Sequence, residues 1–249
     1  MLWKTVAGRC IHQGTHGIQV RQNILYRWLT FDSDAIQTLL HRRHPSRAGL
    51  HYIHALTLAA RANPAPSCLL GLGGAGVAHA LAPYFTGYPL YAVESSLEIT
   101  EVSATWFMTA QIKNLLVIHQ DAFLHLQQTE NRYQHLMIDL FNAHSFPSHC
   151  NTSEFFDLCR RALLPEGIMA INLANPTEQW PIFLHIREHF KQCTVSIPVK
   201  GTANMVILAY NGKSVNPLLT ILNKHADLKQ LTWDSKWGCV ARLGKVDYA

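Results

Sequence analysis

CLLGLGGAGV, residues 68–77, is an apolar run that breaks into glycines and then resumes as a helical pattern. Glycine is needed where backbone turns sharply or approaches a ligand closely, and the helix start that follows can receive a polar group. A strand, a GxGxxG loop and a helix in this order form the first unit of a doubly wound α/β sheet. Downstream, strand candidates at Leu90–Val93, Leu115–Ile118, His135–Leu140 and Ile168–Leu173 continue the pattern. Helix candidates near 75–83, 96–108, 121–128 and 152–163 separate them, and another at about 178–190 precedes Thr194–Ile197 and Met205–Tyr210. Strands alternating with helices of this length predict a parallel sheet, here of seven strands. Residues 198–204 leave no room for a helix, so the last two strands are expected to form an antiparallel hairpin at the sheet edge.

Upstream, GIQVRQNILYRWLTF at 17–31 carries two β-like runs around Arg21-Gln22-Asn23, a hairpin pattern. HRRHPSR at 41–47 reads as a solvated loop, an apolar helical stretch follows at about 48–61, and Asn63-Pro64-Ala65-Pro66 is a linker. The expected division is an N-terminal β hairpin and helix appendage over 1–62 and a Rossmann-like nucleoside-binding domain over 63–249.

The 249 residues are 48% hydrophobic and 15% charged, which excludes disorder, collagen and coiled coil. A net charge of +5 is too small an excess to predict a nucleic-acid partner, and the basic loop has no interleaved stacking aromatics. Six cysteines contain no CxxC pair, as expected of reduced thiols in a cytoplasmic protein. MLWKTVAGRCIHQG at the start lacks the unbroken apolar stretch of a secretory signal. No Lys, Arg, Asp or Glu lies between Arg61 and Glu94, yet four prolines and five glycines interrupt that span. It therefore reads as buried strand, loop and helix, and no membrane contact is expected.

Three acids follow the glycine loop, each at a strand's C-terminal end. Glu94, with Ser95 beside it, stands 23 residues after Gly71, where an acid accepts ribose hydroxyls. Asp121-Ala122 follows the third strand, placed to accept from an adenine amino group, and Asp139 ends the fourth. Open α/β sheets bind ligands in the crevice where such strand ends converge. NAD and S-adenosyl compounds both fit a glycine loop with a ribose acid. The terminal hairpin and Asp121-Ala122 favour the sulfonium nucleosides, and about 40 residues after the last strand leave little room for a dehydrogenase's substrate domain. His185-Ile186-Arg187-Glu188-His189 matches the HxxEH zinc pattern, but it falls in a helix away from the crevice, so no metal is expected.

Over roughly residues 17–211 the sequence resembles the spermidine synthases, the polyamine aminopropyltransferases. The resemblance rests on Ile36-Gln37-Thr38, Tyr52, GLGGAGV at 71–77, Glu94, Asp121-Ala122, YQHLMIDLFNAHSFP at 133–147 and TSEFFDLCRRALLPEGIMAINL at 152–173. It implies a small β domain followed by a Rossmann-like, seven-stranded methyltransferase-type sheet, usually in a dimer or a larger assembly. It also implies S-adenosylmethionine or its decarboxylated form as co-substrate, without metal, and a small-molecule acceptor not identified by the sequence. By the resemblance Gly71, Gly73 and Gly76 hold the nucleoside, Glu94 and Ser95 the ribose, and Asp121 and Ala122 the adenine. Asp139 falls on the acid that assists deprotonation of the attacking amine, with Gln37 and Tyr52 as gatekeepers. Asn142 and His54 fall on amine-binding positions where the family carries acids, and Gly74 on a third. Because polyamines are polycations, these three departures predict weak activity toward putrescine. A nucleoside-binding homologue without catalysis and a methyltransferase on another acceptor are the alternative readings.

Overall fold

Residues 2–31, 35–140 and 145–244 are described by a computed structural model. Strands β1 (Arg9–Gln13), β2 (Gln19–Gln22), β3 (Tyr26–Thr30) and β4 (Ile36–His41) form an antiparallel sheet in that order. The expected hairpin is β2–β3, extended by a strand on each side. Next come the short helices α1 (Tyr52–Leu56) and α2 (Leu58–Ala62). The alternating part runs β5 (Ser67–Leu70), α3 (Gly76–Leu81), β6 (Leu90–Glu94), α4 (Leu97–Trp106), β7 (Leu115–His119), α5 (Ala122–Gln127) and β8 (Tyr133–Ile138). It continues through α6 (Ser153–Ala162), β9 (Leu163–Leu173), α7 (Pro176–His189), β10 (Thr194–Pro198) and β11 (Met205–Tyr210). The chain then adds α8 (Asn216–Asn223), β12 (Leu228–Asp234) and β13 (Gly238–Leu243).

The second sheet has nine strands in the order β12-β13-β10-β11-β9-β8-β5-β6-β7. All seven expected strands are present, and β5 to β9 run parallel to one another. Two expectations are corrected. The sheet has nine strands rather than seven, and the β10–β11 hairpin is not at the edge, because β13 pairs parallel with β10 and β12 follows outside it. The physical reason is burial: β10 is enclosed along most of its length, and an enclosed strand needs a partner on each side.

Two apolar layers sandwich this sheet. One joins α1, α2, α3 and α8 through residues such as Leu56, Leu58, Leu81 and Leu222, and the other joins α5, α6 and α7 through Leu126, Phe156 and Phe183. A third cluster docks the N-terminal sheet on α4, with Val20, Leu29 and Leu40 against Ile99, Val102 and Phe107. Helix starts are capped by side chains from the preceding turns, Ser96 for α4, Asp121 for α5, Thr152 for α6 and Asn175 for α7. The order around β5, with β6 on one side and β8 on the other, opens the crevice at its C-terminal end.

Candidate active site

The crevice begins where β5 ends. Gly71 turns the chain at φ +92°, and a Cβ there would lie 2.5 Å from the Asp139 carbonyl oxygen. The Asp139 amide donates to Leu70 O at 2.9 Å, so the ends of β5 and β8 touch and only glycine fits between them. Gly73 follows at φ +50°, and Gly76 is the buried first residue of α3. Between them the Gly74 amide donates to Thr38 Oγ1 at 2.9 Å, which pins the loop to β4 of the N-terminal sheet. A Cβ on Gly74 would fall 2.8 Å from Thr38 and 3.0 Å from Phe107. An acid there would require this contact to open.

Glu94 closes the loop from the neighbouring strand. Its Oε2 accepts the amides of Leu72 at 3.0 Å and Gly73 at 3.4 Å, and its Oε1 accepts the Ser96 amide at 3.0 Å. The carboxylate thus orders the loop while keeping lone pairs for a ligand's hydroxyls. Ser95 is exposed beside it, its carbonyl bonded to His119 Nε2 at 3.0 Å. Asp121 caps α5 with Oδ1, which accepts from Phe123 and Leu124, and Ala122 is the buried first residue of that helix. Its Oδ2 meets the exposed His149 Nε2 at 3.1 Å, a contact that an incoming donor can replace.

Asp139 is held from two sides. Tyr52 donates its hydroxyl to Oδ2 at 2.7 Å, and Asn172 donates its amide to Oδ1 at 3.0 Å. Asn172 is itself oriented, because Asn204 donates to its Oδ1 at 2.8 Å. Buried Gln179 fastens that loop by donating to the carbonyls of Leu173 and Ala203 at 3.0 and 2.7 Å. Burial pushes the Asp139 carboxyl above the ordinary aspartate range, while the bonds from Tyr52 and Asn172 pull it back. Burial together with the adjacent carboxylate raises the Tyr52 phenol well above its ordinary value, so it remains a proton donor to Asp139.

The structure therefore brings together Gly71, Gly73, Gly76, Glu94, Tyr52 and Asp139. Asp121 stands at the end of β7, two strands from β5. Gln37 is half-buried on β4 next to Thr38, where the register from Thr30↔Ile36 to Leu29↔Thr38 leaves it as the extra residue of a β-bulge. Asn142 lies outside the described residues. His54 is not gathered with the others: its electrostatic neighbours are Arg61, Asp227 and His51. Burial, aided by Arg61, lowers its pKa to about 4, so it is uncharged at neutral pH. His189 of the HxxEH stretch bonds Ser153 Oγ at 2.7 Å and His185 stacks on Phe156. Asn172, Asn204, Gln179 and His149 went unrecognised in the sequence. An amide inside the apolar run Ile171-Asn172-Leu173 is the signal that was available.

The spermine/spermidine synthase domain matches residues 92–216, half of the chain. A polyamine aminopropyltransferase of Neisseria meningitidis serogroup A is 23% identical over 216 residues, covering 85% of this chain and 81% of that protein. A probable polyamine aminopropyl transferase of Bifidobacterium longum is 29% identical over 126 residues, which is 50% of this chain and 28% of that longer protein. In fold, the chain superimposes on a probable spermidine synthase from Corynebacterium glutamicum with a TM-score of 0.72 at 15% identity, covering 93% of this chain and 89% of the other. A spermidine synthase in complex with the transition state analogue AdoDATO gives 0.66 at 15% identity, covering 82% and 74%.

Proposed function

The chain belongs to the spermine/spermidine synthase domain family, and from that premise we propose that it is an aminopropyltransferase acting on an amine with decarboxylated S-adenosylmethionine as donor. The observation that carries this reading is the Asp139 carboxylate, bonded by Tyr52 and Asn172 at the closed junction of β5 and β8. When bound, the donor supplies an electrophilic carbon next to its sulfonium. Glu94 and the glycine loop are suited to its ribose and Asp121 to its adenine, and their free acceptor positions fit those groups.

The chain's own task is to hold an amine and take its proton. An alkylammonium has a pKa near 10.4 and an aspartate near 3.9, and each unit of that gap costs about 1.4 kcal/mol. Burial narrows the gap from both ends, since it raises a carboxyl and lowers an ammonium. Asp139 is raised in this way, and Tyr52 and Asn172 keep both of its oxygens aimed. The amine nitrogen then forms the new C–N bond, the C–S bond breaks, and the released proton resides on Asp139.

One carboxylate serves one ammonium. With glycine packed against Thr38 at 74 and neutral His54 turned to Arg61, the far end of a diamine lacks these two partners. Putrescine is therefore expected to be a poor acceptor, since losing about 4 kcal/mol of transition-state stabilisation slows transfer roughly a thousandfold. Calorimetry with decarboxylated S-adenosylmethionine, S-adenosylmethionine, methylthioadenosine and NAD tests the donor, and mass spectrometry of products from a panel of mono- and diamines tests the acceptor. Adenosyl sulfonium or thioether binding with no NAD binding is expected. Equal or tighter NAD binding overturns the reading.

A further inference from the structure

The positive charge of the chain is not spread evenly over it. Residues 1–62 hold eight Lys and Arg against two Asp, whereas residues 63–249 hold 13 against 14 Asp and Glu. The N-terminal sheet concentrates its cations at one end. The pairs Arg9↔Gln22, Gln22↔Arg27 and Tyr26↔His41 align the start of β1, the β2–β3 turn and the end of β4, and Arg42, Arg43 and Arg47 follow directly. Cations there face cations. Burial and then Arg42 lower the Arg27 pKa, and burial followed by His44, Arg47 and Lys4 lowers that of His41.

The same end presents large aliphatic side chains to solvent, Ile24 at 81% exposure, Val6 at 63% and Leu25 at 41%. The turn that carries Ile24 is braced. Asn23 Nδ2 donates to the carbonyls of Lys4 and Val6 at 2.8 and 3.2 Å, and Asn23 Oδ1 accepts the amides of Leu25 and Tyr26 at 3.0 and 2.7 Å. Arg42 donates to the carbonyls of Asn23 and Ile24 at 2.9 and 3.1 Å. A cleft of about 510 Å³ lies alongside, with Val6, Ile24, Arg9 and Arg42 in its lining. An aliphatic side chain held outward on a braced turn among guanidiniums matches a surface that is both apolar and anionic.

We propose that this end of the N-terminal sheet docks on the surface of an anionic lipid bilayer. Ile24, Leu25 and Val6 enter the headgroup boundary, and Arg9, Arg42 and Arg43 face the lipid phosphates. The sequence predicts no membrane contact because its one long apolar span is interrupted, and docking of this kind needs no spanning segment. Other occupants fit the face less well. Two copies of it would set like charges against each other across a two-fold axis. Single-stranded nucleic acid needs stacking rings, and Tyr26 and Trp28 at this end are buried. The docking stands or falls independently of the proposed chemistry.

Co-sedimentation of the full chain with vesicles tests it. Phosphatidylcholine vesicles with about 30% phosphatidylglycerol should bind the chain at about 0.05 M salt, and about 0.5 M salt should release it. Pure phosphatidylcholine vesicles should not bind it. Ile24→Ser should weaken binding about tenfold, because it removes apolar surface that the bilayer covers. Arg9→Gln combined with Arg43→Gln should weaken it about 25-fold, since each cation near such a surface contributes about fivefold. All three positions are exposed, and circular dichroism checks that the variants stay folded. No binding to the anionic vesicles, equal binding to the neutral ones, or unchanged binding in either variant overturns the proposal. So does a dimer in sedimentation velocity that Ile24→Ser dissociates, or a single-stranded oligonucleotide that binds more tightly than the vesicles.

Discussion

At Asp139, burial and hydrogen bonding act in opposite directions, and this opposition predicts two measurements. In the proposed reaction amine deprotonation uses the carboxylate form, so the acid limb of kcat/KM should follow the Asp139 titration. Asn172→Ala removes a bond that stabilises the charged form. It should shift that limb to higher pH by about one to two units, since a bond to a charged group contributes about 1.5–3 kcal/mol. A purely structural effect would lower kcat/KM without moving the limb. The second measurement concerns stability. A carboxyl whose folded pKa lies above its unfolded value contributes stability only while protonated, and that contribution is lost as pH rises through the folded pKa. Above its folded pKa the ionised Asp139 therefore weakens the fold. Asp139→Asn should raise Tm at pH 7, by about 2–4 °C for each kcal/mol relieved, with the gain vanishing below about pH 4. An unchanged or lower Tm at pH 7 would contradict this account.

At the scale of elements, the two acids proposed to hold the nucleoside, Glu94 and Asp121, differ in what else they hold. Asp121 caps α5 through one oxygen, and asparagine preserves that acceptor. Asp121→Asn should leave the protein folded and weaken nucleoside binding by about ten- to a hundredfold. Glu94 accepts loop amides through both oxygens, so Glu94→Gln turns one acceptor into a donor facing an amide. It should cost more affinity and also loosen the 71–76 loop, read as faster amide exchange there. Equal losses in the two variants with no change in exchange would refute the distinction. The acids and the glycine loop were readable in the sequence because each interrupts an apolar run at a strand end. Asn204 was not, because its role depends on a loop held by Gln179 from a different element. Nor was the bulge at Gln37, which arises from the pairing of β3 with β4. The β12–β13 hairpin left a signal in Asp234-Ser235-Lys236-Trp237-Gly238 between two strand-like runs, but nothing local shows that β13 would complete β10.

At the scale of the molecule, the buried histidines set an acid limit. His135 Nε2 meets Asn63 O at 2.7 Å, and burial lowers its pKa to about 4. A histidine with a lowered folded pKa costs stability as pH falls below its unfolded value near 6.5, and the loss continues down to the folded value. For His135 alone this amounts to about 3 kcal/mol. His54 adds a smaller share because it is partly exposed. Tm should fall steadily between pH 6.5 and 4, and His135→Gln should flatten that slope; a flat profile in the wild-type chain would show that these rings stay neutral for another reason. No helix among the described residues is long and apolar enough to cross a membrane. The Thr38 pin on Gly74 spans 36 residues of sequence and joins the N-terminal sheet to the glycine loop proposed to hold the nucleoside. Neither part of the chain therefore owns the binding loop. On the proposed reading, a change in the N-terminal sheet would be felt as a change in how long the nucleoside stays bound.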